Sequence, residues 1–348
     1  MKQHLNTLFL TTDGLYLARE GQSVVVRGED DAGNRVVKLR LPVHTLGSIV
    51  CFGRIGASPS LMQMCGESGV GLSFLTGSGR FMARVTGFTP GNVLLRRQQY
   101  RVADDSAASV KIVGPIVLGK IANQRAVLLR AMRENLESTA RPAVERAAAL
   151  LAGSIRMAEG CGDVARLRGI EGDAARVYFD VFDHLITKQK TVFHYAGRSR
   201  RPPLDNVNAL LSFLYSLLAA DARCACECAG LDPAVGFLHV DRPGRPSLAL
   251  DLMEELRPLL ADRLALSLIN RQQIDGRGFV TTESGAVRMT DATRKKVIVA
   301  WQKRKQKTLL HPFLGEKVTV GLLVHLQARL LARHLRGDAD VYAAFIWK

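Results

Sequence analysis

Two stretches of the chain carry residue types that could do acid–base or metal chemistry. Glu171 stands in a glycine-flanked segment, which we place at the start of a helix. His239 follows an apolar segment, and a Pro- and Gly-rich turn then leads to Asp251, Glu254 and Glu255. One imidazole and two or three carboxylates form a donor set that suits Mg²⁺ or Mn²⁺ better than a structural zinc ion.

Ordinary structural roles explain the same residues. A carboxylate such as Glu171 is favoured at a helix N-terminus by the helix dipole. A helix capped near Ser247 is predicted, and on it Asp251 and Glu254 lie one turn apart, where they could be surface acids beside a packed histidine. Separation along the chain does not say whether these groups meet in space, so both interpretations stay open at this point.

The elements that must position these residues differ between the two parts of the chain. Before about residue 88 the pattern is that of strands: residues 37–41 alternate apolar and basic side chains. One helix is predicted after Ser58, and a turn at 77–79 joins two later strands. We therefore predict a small, mostly antiparallel β domain over residues 1–87.

From about residue 88 the apolar period becomes helical. Val117, Ile121, Leu128 and Met132 form one apolar stripe. Further helices are predicted at 142–160, 174–182, 210–218 and 315–336. The expected fold class is α+β, with a larger helical domain over residues 88–348 that contains both stretches with candidate site residues.

The chain is strongly basic. Its 348 residues include 48 Lys and Arg against 32 Asp and Glu, a formal net charge of +16. A folded protein of this charge usually binds a polyanion, and three basic clusters predict contacts to the DNA phosphate backbone, although any one of them could be an ordinary solvated helix face. The candidates are Arg96, Arg97, Arg198, Arg200, Arg201, Arg294, Lys295, Lys296, Lys303, Arg304 and Lys305.

Several other classes of protein lack support. No Walker motif and no Gly-x-Ser-x-Gly elbow occurs. The longest nearly apolar stretch, residues 210–220, is too short to span a bilayer, and the first residues lack the features of a secretion signal. We expect a cytoplasmic protein without a membrane partner.

Three cysteines in one run invite a zinc hypothesis. Cys224, Cys226 and Cys228 follow apolar positions at helical spacing, so Cys224 and Cys228 would share a helix face while Cys226 points away. Zinc sites usually bring ligands in two-residue-spaced pairs with a second pair elsewhere, and no such pairs occur here. We predict small buried side chains and keep a zinc-dependent protein as a minor alternative.

The two stretches together resemble a known family. Glu171 begins Glu-Gly-Asp-Ala-Ala-Arg-Val-Tyr, and His239 lies in Gly-Phe-Leu-His, which is followed by Arg-Pro-Ser-Leu-Ala-Leu-Asp-Leu-Met-Glu-Glu-Leu-Arg-Pro. With these motifs the chain is similar to the CRISPR-associated spacer-acquisition integrases over nearly its whole length. The subtype that it resembles is that of the type I-C systems.

The resemblance implies a fold and a metal site. The N-terminal domain would be β-sandwich-like and would dimerise, and the C-terminal domain would be an all-α catalytic domain. A single Mg²⁺ or Mn²⁺ ion would be held by Glu171, His239 and Glu254. Some family members carry Asp at the position of Glu254, and Asp251 is the alternative third ligand or a supporting residue.

The resemblance also implies an activity and partners. A 3′-hydroxyl on incoming DNA would attack a phosphodiester of the CRISPR array, and water in its place would make the same site a nuclease. The chain would act on double-stranded DNA as a homodimer, with a small ferredoxin-like CRISPR-associated protein bridging two dimers. The alternative, suggested by charge alone, is a non-catalytic DNA-binding or scaffold subunit that never joins DNA covalently.

Overall fold

The structure, a computed structural model, describes residues 6–30, 33–77, 81–85, 87, 93–134, 136–200 and 202–347. The chain divides into two compact units, Met1–Gly91 and Asn92–Lys348. Strands dominate the first unit and helices the second. The predicted mixed α+β class is therefore confirmed.

The described part of the first unit contains two four-stranded sheets, in the orders β1-β5-β7-β8 and β4-β3-β2-β6. Three of the strand pairs are parallel: β1 with β5, β5 with β7, and β2 with β6. The other three described pairs, β2 with β3, β3 with β4 and β7 with β8, are antiparallel, so the predicted antiparallel pairing is confirmed for half of the pairs. The elements are β1 (Asn6–Leu10), β2 (Tyr16–Glu20), β3 (Ser23–Glu29), β4 (Arg35–Pro42), β5 (Leu46–Phe52), β6 (Gly56–Ala57), α1 (Pro59–Glu67), β7 (Gly71–Leu75) and β8 (Phe81–Val85).

Helix α1 explains part of this difference. It lies between β5 and β7 in the chain and returns the backbone to the end of the sheet where β5 began, so the two strands run parallel. Its start follows the sequence prediction, because Ser58 accepts a hydrogen bond from the Leu61 amide. Leu17 and Val24 of one sheet, Ile49 and Leu72 of the other, and Leu61 of α1 share one buried cluster, as in a β-sandwich.

The second unit is mostly helical but not all-α. Two short antiparallel pairs, β9 with β10 and β11 with β12, interrupt its helices, so the all-α prediction is too simple. Strands of three residues are too short to show an alternating pattern in the sequence. The elements are α2 (Val93–Asp104), α3 (Ser106–Arg133), α4 (Arg141–Glu159), α5 (Val164–Asp180), α6 (Asn206–Cys228), α7 (Ser247–Glu254), α8 (Arg263–Asn270), β9 (Phe279–Thr281), β10 (Val287–Met289), α9 (Asp291–Lys305), β11 (Thr308–Leu310), β12 (Lys317–Thr319) and α10 (Leu323–Arg336).

Helix α3 is central to this unit and packs against α4, α5 and α7. Val117, Ile121 and Leu128 of the predicted stripe are fully buried. Within the described residues, α3 and α6 are long and apolar enough to cross a membrane, but 61% of each apolar window is buried inside the protein. Their hydropathy is that of core helices.

Candidate active site

Glu171 lies in the middle of α5 rather than at the start of a helix. The helix begins earlier, where the Asp163 carboxylate accepts a hydrogen bond from the Arg166 amide. Gly169 and Gly172 are inside it, although a glycine in a helix interior costs about 1 kcal/mol relative to alanine. The sequence-based placement was wrong because it took these glycines for a helix boundary.

Asp251 on α7 holds the loop that carries His239. Its buried carboxylate accepts hydrogen bonds from the amides of Phe237 and Leu238 at 2.6 and 3.0 Å. It also accepts the His239 amide at 2.9 Å and lies 2.7 Å from His239 Nδ1. Because Nδ1 is the donor to a carboxylate in this arrangement, Nε2 keeps its lone pair for a ligand.

The loop also depends on a close approach at Gly236. A Cβ atom there would lie 2.7 Å from Ser247 Cβ and 2.9 Å from Asp251 Oδ2, so glycine is required. Helix α7 begins at Ser247, close to the predicted cap, but Pro246 occupies the cap position and no side chain caps the helix. Ser247 Oγ instead donates to the Val240 carbonyl at 3.3 Å and ties the loop to α7.

Glu254, at the end of α7, is buried between two cations. Arg257 Nη1 lies 3.0 Å from Oε1, and Lys120 Nζ lies 2.6 Å from Oε2. Burial alone would raise the pKa of Glu254, but the charges of Arg257 and Lys120 outweigh it and lower the pKa to about 2. The carboxylate is therefore ionised at any working pH.

Lys120 brings the separate parts of the site together. This buried side chain of α3 forms an ion pair with Glu171 of α5 as well as with Glu254 of α7. His239 Nε2 lies 3.8 Å from Glu254 Oε1. The three predicted metal ligands therefore occupy one neighbourhood, with an ammonium group between the two glutamates.

Sequence reasoning missed Lys120 and Arg257. The sequence did contain a signal for Lys120. It lies three residues after Val117 of the apolar stripe, and none of the residues three or four positions from Lys120 is an acid that could pair with it. A lysine on a buried helix face needs a partner from another element.

A cleft of about 210 Å³ opens beside these groups. Glu171 and His239 contribute to its wall, and Arg242 and Arg245 are basic residues at the same cleft. Arg168 also lines it, but its guanidinium donates to the Leu238 carbonyl and so fixes the His239 loop from the α5 side. A cleft with a carboxylate and an imidazole at its wall and arginines around it suits a phosphate-bearing substrate beside a cation.

The donor set fits a divalent ion in chemical type. Glu254 Oε2 is buried and accepts no hydrogen bond of good geometry, although it faces the Lys120 ammonium. Carboxylate oxygens and a neutral imidazole nitrogen are ligands that Mg²⁺ and Mn²⁺ accept. Across the described residues, however, no three His, Cys, Asp or Glu side chains lie close enough to share an ion as they stand. The Lys120 ammonium lies between Glu171 and Glu254 and pairs with both.

Arg257 connects Glu254 to a second buried polar group. Its guanidinium lies over the ring of Tyr215, 4.8 Å from the ring centre. The Tyr215 hydroxyl donates to Asp262 Oδ1 at 2.6 Å. Burial raises the pKa of Asp262 to about 6, although the Tyr215 hydrogen bond and the Arg257 charge oppose the rise.

Glu255 points away from the site. Its carboxylate accepts hydrogen bonds from the Tyr342 hydroxyl and the Phe345 amide, both at 2.6 Å. Asn123, one turn after Lys120 on α3, donates to the carbonyls of Glu255 and Phe345. The C-terminal segment therefore fastens α3 to the end of α7, next to the residues that form the site.

Helix α9 divides the largest basic cluster into two groups. Lys295, Lys296 and Lys303 are exposed. Arg294 is buried and paired with Asp291, and Lys305 is buried with its Nζ 2.8 Å from Asp221 Oδ2. Arg304 is half-buried and donates to the Leu259 carbonyl at 2.8 Å. Arg294, Arg304 and Lys305 therefore stabilise the fold, and we do not propose them as DNA contacts.

The other two clusters are similarly mixed. Arg97 and Arg200 are exposed, whereas Arg96 is half-buried. Arg198 donates to Asn208 and Ser212 of α6 and so holds its own loop in place. Arg201 lies outside the described residues.

The three cysteines lie on α6. Cys224 and Cys226 are buried as predicted, while Cys228 is exposed. Burial raises the pKa of the Cys226 thiol far above its ordinary value, which disfavours the thiolate that zinc needs. Nowhere in the described ranges do these thiols form part of a group that could hold a metal ion.

Comparison with known proteins identifies the family. The family described as CRISPR associated protein Cas1 matches residues 8–303. CRISPR-associated endonuclease Cas1 1 of Chlorobaculum tepidum is 52% identical over 348 residues and covers 100% of both chains. CRISPR-associated endonuclease Cas1 2 of Rhodospirillum rubrum is 51% identical over 355 residues, again with 100% of both chains covered.

Solved structures share the fold. A CAS1 protein from Thermotoga maritima superposes with a TM-score of 0.81 at 23% identity, over 97% of this chain and 99% of the other. A casposase bound to its integration product gives 0.81 at 21% identity, over 99% and 95%. A Cas6-RT-Cas1–Cas2 complex contains a chain that gives 0.82 at 23% identity and covers 100% of this chain and 36% of its own.

The relatives are named CRISPR-associated endonucleases, and these names confirm the predicted class of DNA endonuclease. The chain belongs to the Cas1 family of CRISPR-associated proteins. The resemblance seen in the sequence is thereby confirmed, while the type I-C subtype stays a prediction.

Proposed function

We propose that this chain is a divalent-metal-dependent DNA integrase and endonuclease that inserts new spacer DNA into a CRISPR array. The observation that carries the proposal is the meeting of Glu171 and Glu254 at Lys120, with His239 Nε2 next to Glu254, beside a cleft with arginines. These groups come from α5, α7 and the loop before α7, so folding alone brings them together.

In this proposal Glu171, His239 and Glu254 hold Mg²⁺ or Mn²⁺. Asp251 is a positioning residue, because both of its oxygens already accept hydrogen bonds from the His239 loop. When bound, the ion supplies Lewis-acid chemistry, which favours loss of the proton from an attacking hydroxyl and neutralises charge on the phosphoryl group. His239 is a neutral ligand and so leaves more of the positive charge for the substrate.

The reaction itself is an exchange of phosphodiesters. The oxygen of a DNA 3′-hydroxyl forms a bond to phosphorus while the bond to the leaving 3′-oxygen of the array strand breaks. The attacking hydroxyl gives its proton to solvent, and the leaving 3′-oxygen takes up a proton from solvent to become a new 3′-hydroxyl. Because one phosphodiester replaces another, no high-energy cofactor is needed. Water as the nucleophile gives hydrolysis at the same site.

The exposed basic residues are the proposed contacts to the DNA backbone. They are Arg97, Arg200, Lys295, Lys296 and Lys303, together with Arg242 at the cleft. Each presents a cation that the fold does not bury, as binding to phosphates requires. Arg96 and Arg198 are half-buried and would contact DNA only with their outer atoms.

The proposed assembly is a homodimer formed through the N-terminal unit, with a small ferredoxin-like protein bridging two dimers. One structural neighbour belongs to a complex that contains Cas1 and Cas2, which supports a small CRISPR-associated partner. A cytoplasmic location without a membrane partner follows from a substrate that is DNA.

Glu171→Gln tests the proposal. It removes the charge of one proposed ligand and keeps its size, so strand joining should fall by on the order of 10³-fold. The measurement is covalent joining of labelled DNA to a CRISPR array, with Mn²⁺ and the partner protein present. Asp173→Asn, an exposed acid two residues along α5, is the matched control and should join DNA normally.

Two results would contradict the proposal. Full joining activity in folded Glu171→Gln would remove this residue from the chemistry. DNA binding by the wild type without any joined or cleaved product, whichever divalent ion is added, would establish the non-catalytic scaffold instead.

A further inference from the structure

We infer that Lys120 is a built-in counter-ion of the metal site, which neutralises Glu171 and Glu254 in the metal-free protein and which a divalent ion must displace. This inference rests on the function proposed for the site. Lys120 would thereby weaken metal binding while it stabilises the metal-free fold.

The environment of Lys120 explains why it stands there. Its side chain is 7% exposed, and its two partners come from α5 and α7 rather than from its own helix. A buried ammonium group is stable only with such partners. In return it separates two carboxylates that would otherwise repel each other.

The local charges also decide which cation would move. Glu171 and Glu254 carry two negative charges, and Lys120 and Arg257 carry two positive ones, so the four groups are already neutral without a metal ion. A divalent ion added beside both cations would meet strong repulsion. Arg257 is fixed over the Tyr215 ring, whereas the lysine has a flexible four-carbon stem. Lys120, rather than Arg257, is therefore the cation that moves away from the carboxylates when the divalent ion binds.

A solely structural lysine and a displaceable counter-ion predict different effects of Lys120→Met. If Lys120 only supports the fold, its loss lowers stability and disorders the ligands, so metal binding weakens. If it is the counter-ion, its loss also lowers the melting temperature of the metal-free protein but leaves the carboxylates available, so metal binding strengthens. The sign of the change in metal affinity separates the two roles.

The experiment measures Mn²⁺ binding to the full chain by calorimetry and by the EPR signal of free Mn²⁺. Lys120→Met should bind Mn²⁺ about tenfold more tightly than the wild type. Its melting temperature should be lower without metal and should rise more on Mn²⁺ addition. Lys120→Arg keeps the charge and should bind no more tightly than the wild type. Lys111→Met, an exposed lysine on the same helix, is the matched control and should behave as the wild type.

The possible failures are distinguishable. If the wild type binds no Mn²⁺, or if Glu171→Gln leaves its binding unchanged, the proposed metal site fails and this inference with it. If the wild type binds Mn²⁺ through Glu171 but folded Lys120→Met binds it equally or more weakly, the counter-ion inference alone fails.

A second measurement keeps the test decisive if Lys120→Met does not fold. A crystal of the wild type with Mn²⁺, located by anomalous scattering, reports the position of Lys120 directly. An Nζ that has left one or both carboxylates supports the inference. An Nζ still paired with both Glu171 and Glu254 beside a bound ion overturns it.

Discussion

At the scale of single residues, Asp251 and Glu254 show how two acids one turn apart acquire different roles. Asp251 meets only hydrogen-bond donors of the His239 loop, and these take up both of its oxygens. Glu254 meets Lys120 and Arg257, and its Oε2 accepts no hydrogen bond. The direction of the surrounding donors therefore favours Glu254 as the ligand and Asp251 as the residue that orients His239.

Asp251→Asn tests that assignment. An amide has only one acceptor oxygen, so its NH₂ group must face backbone amides that also donate. The free energy of unfolding should fall by about 1–3 kcal/mol, and Mn²⁺ affinity should fall by about 10–100-fold because His239 loses its orientation. Urea denaturation and calorimetry measure the two effects. A loss of stability with unchanged Mn²⁺ affinity would show that Asp251 supports the fold without positioning the ligand.

At the scale of elements, the turn after α7 links the site to the core. Residues Pro258–Asp262 form a π-helical turn between α7 and α8. In this turn the Leu259 carbonyl accepts a hydrogen bond from Arg304 of α9. It also directs Asp262 at Tyr215 of α6, the residue whose ring supports Arg257. The geometry at Glu254 is thus linked to two helices, α6 and α9, that contribute no residue to the wall of the cleft.

Asp262 should make the stability of the protein depend on pH. Burial raises its pKa to about 6 from an ordinary value of 3.8. Between about pH 4 and pH 6 the native state holds this proton, whereas the unfolded chain has released it. The free energy of unfolding therefore falls as the pH rises through this window, by up to about 3 kcal/mol.

Asp262→Asn removes this titration and keeps an acceptor for the Tyr215 hydroxyl. The stability of the variant relative to the wild type should therefore increase from pH 4 to pH 6. Denaturant unfolding at several pH values in this range gives the difference, with Asp173→Asn as an exposed control. A difference that stays constant with pH would show that Asp262 has an ordinary pKa.

The sequence predicted helices better than their contacts. Long helices with an apolar stripe, such as α3, follow from the 3.6-residue period, which is a local property. The parallel pairing of β5 with β7 depends on where the intervening helix returns the chain, and local pattern does not report it. Lys120 was missed for the same reason, because its partners Glu171 and Glu254 are far away along the chain. The sequence identified the two motifs that carry the candidate site residues, but only the fold shows that their side chains lie close together.

At the scale of the whole molecule, the net charge of +16 overstates the charge that is free to bind DNA. Part of the basic run on α9 belongs to its buried face: Arg294, Val297, Ile298, Trp301 and Lys305 are all buried and follow one another at helical spacing. Counting charges in the sequence does not separate these faces. The helical spacing of the lysines and arginines, taken together with that of the apolar residues, would have separated the buried face of α9 from its exposed face.

The two faces of α9 should respond differently to loss of charge. Exposed Lys295, Lys296 and Lys303 are free to contact phosphates, so replacing all three with Gln should weaken DNA binding and reduce the slope of log affinity against log salt by up to about 2.7. Thermal stability should stay the same. Lys305→Gln should do the reverse: it leaves the half-buried Asp221 without its cation, and the free energy of unfolding should fall by about 2 kcal/mol while the salt slope is kept. Fluorescence anisotropy over a salt series, with urea denaturation of each variant, measures both effects. Equal salt slopes for the triple variant and the wild type would place the DNA on another surface.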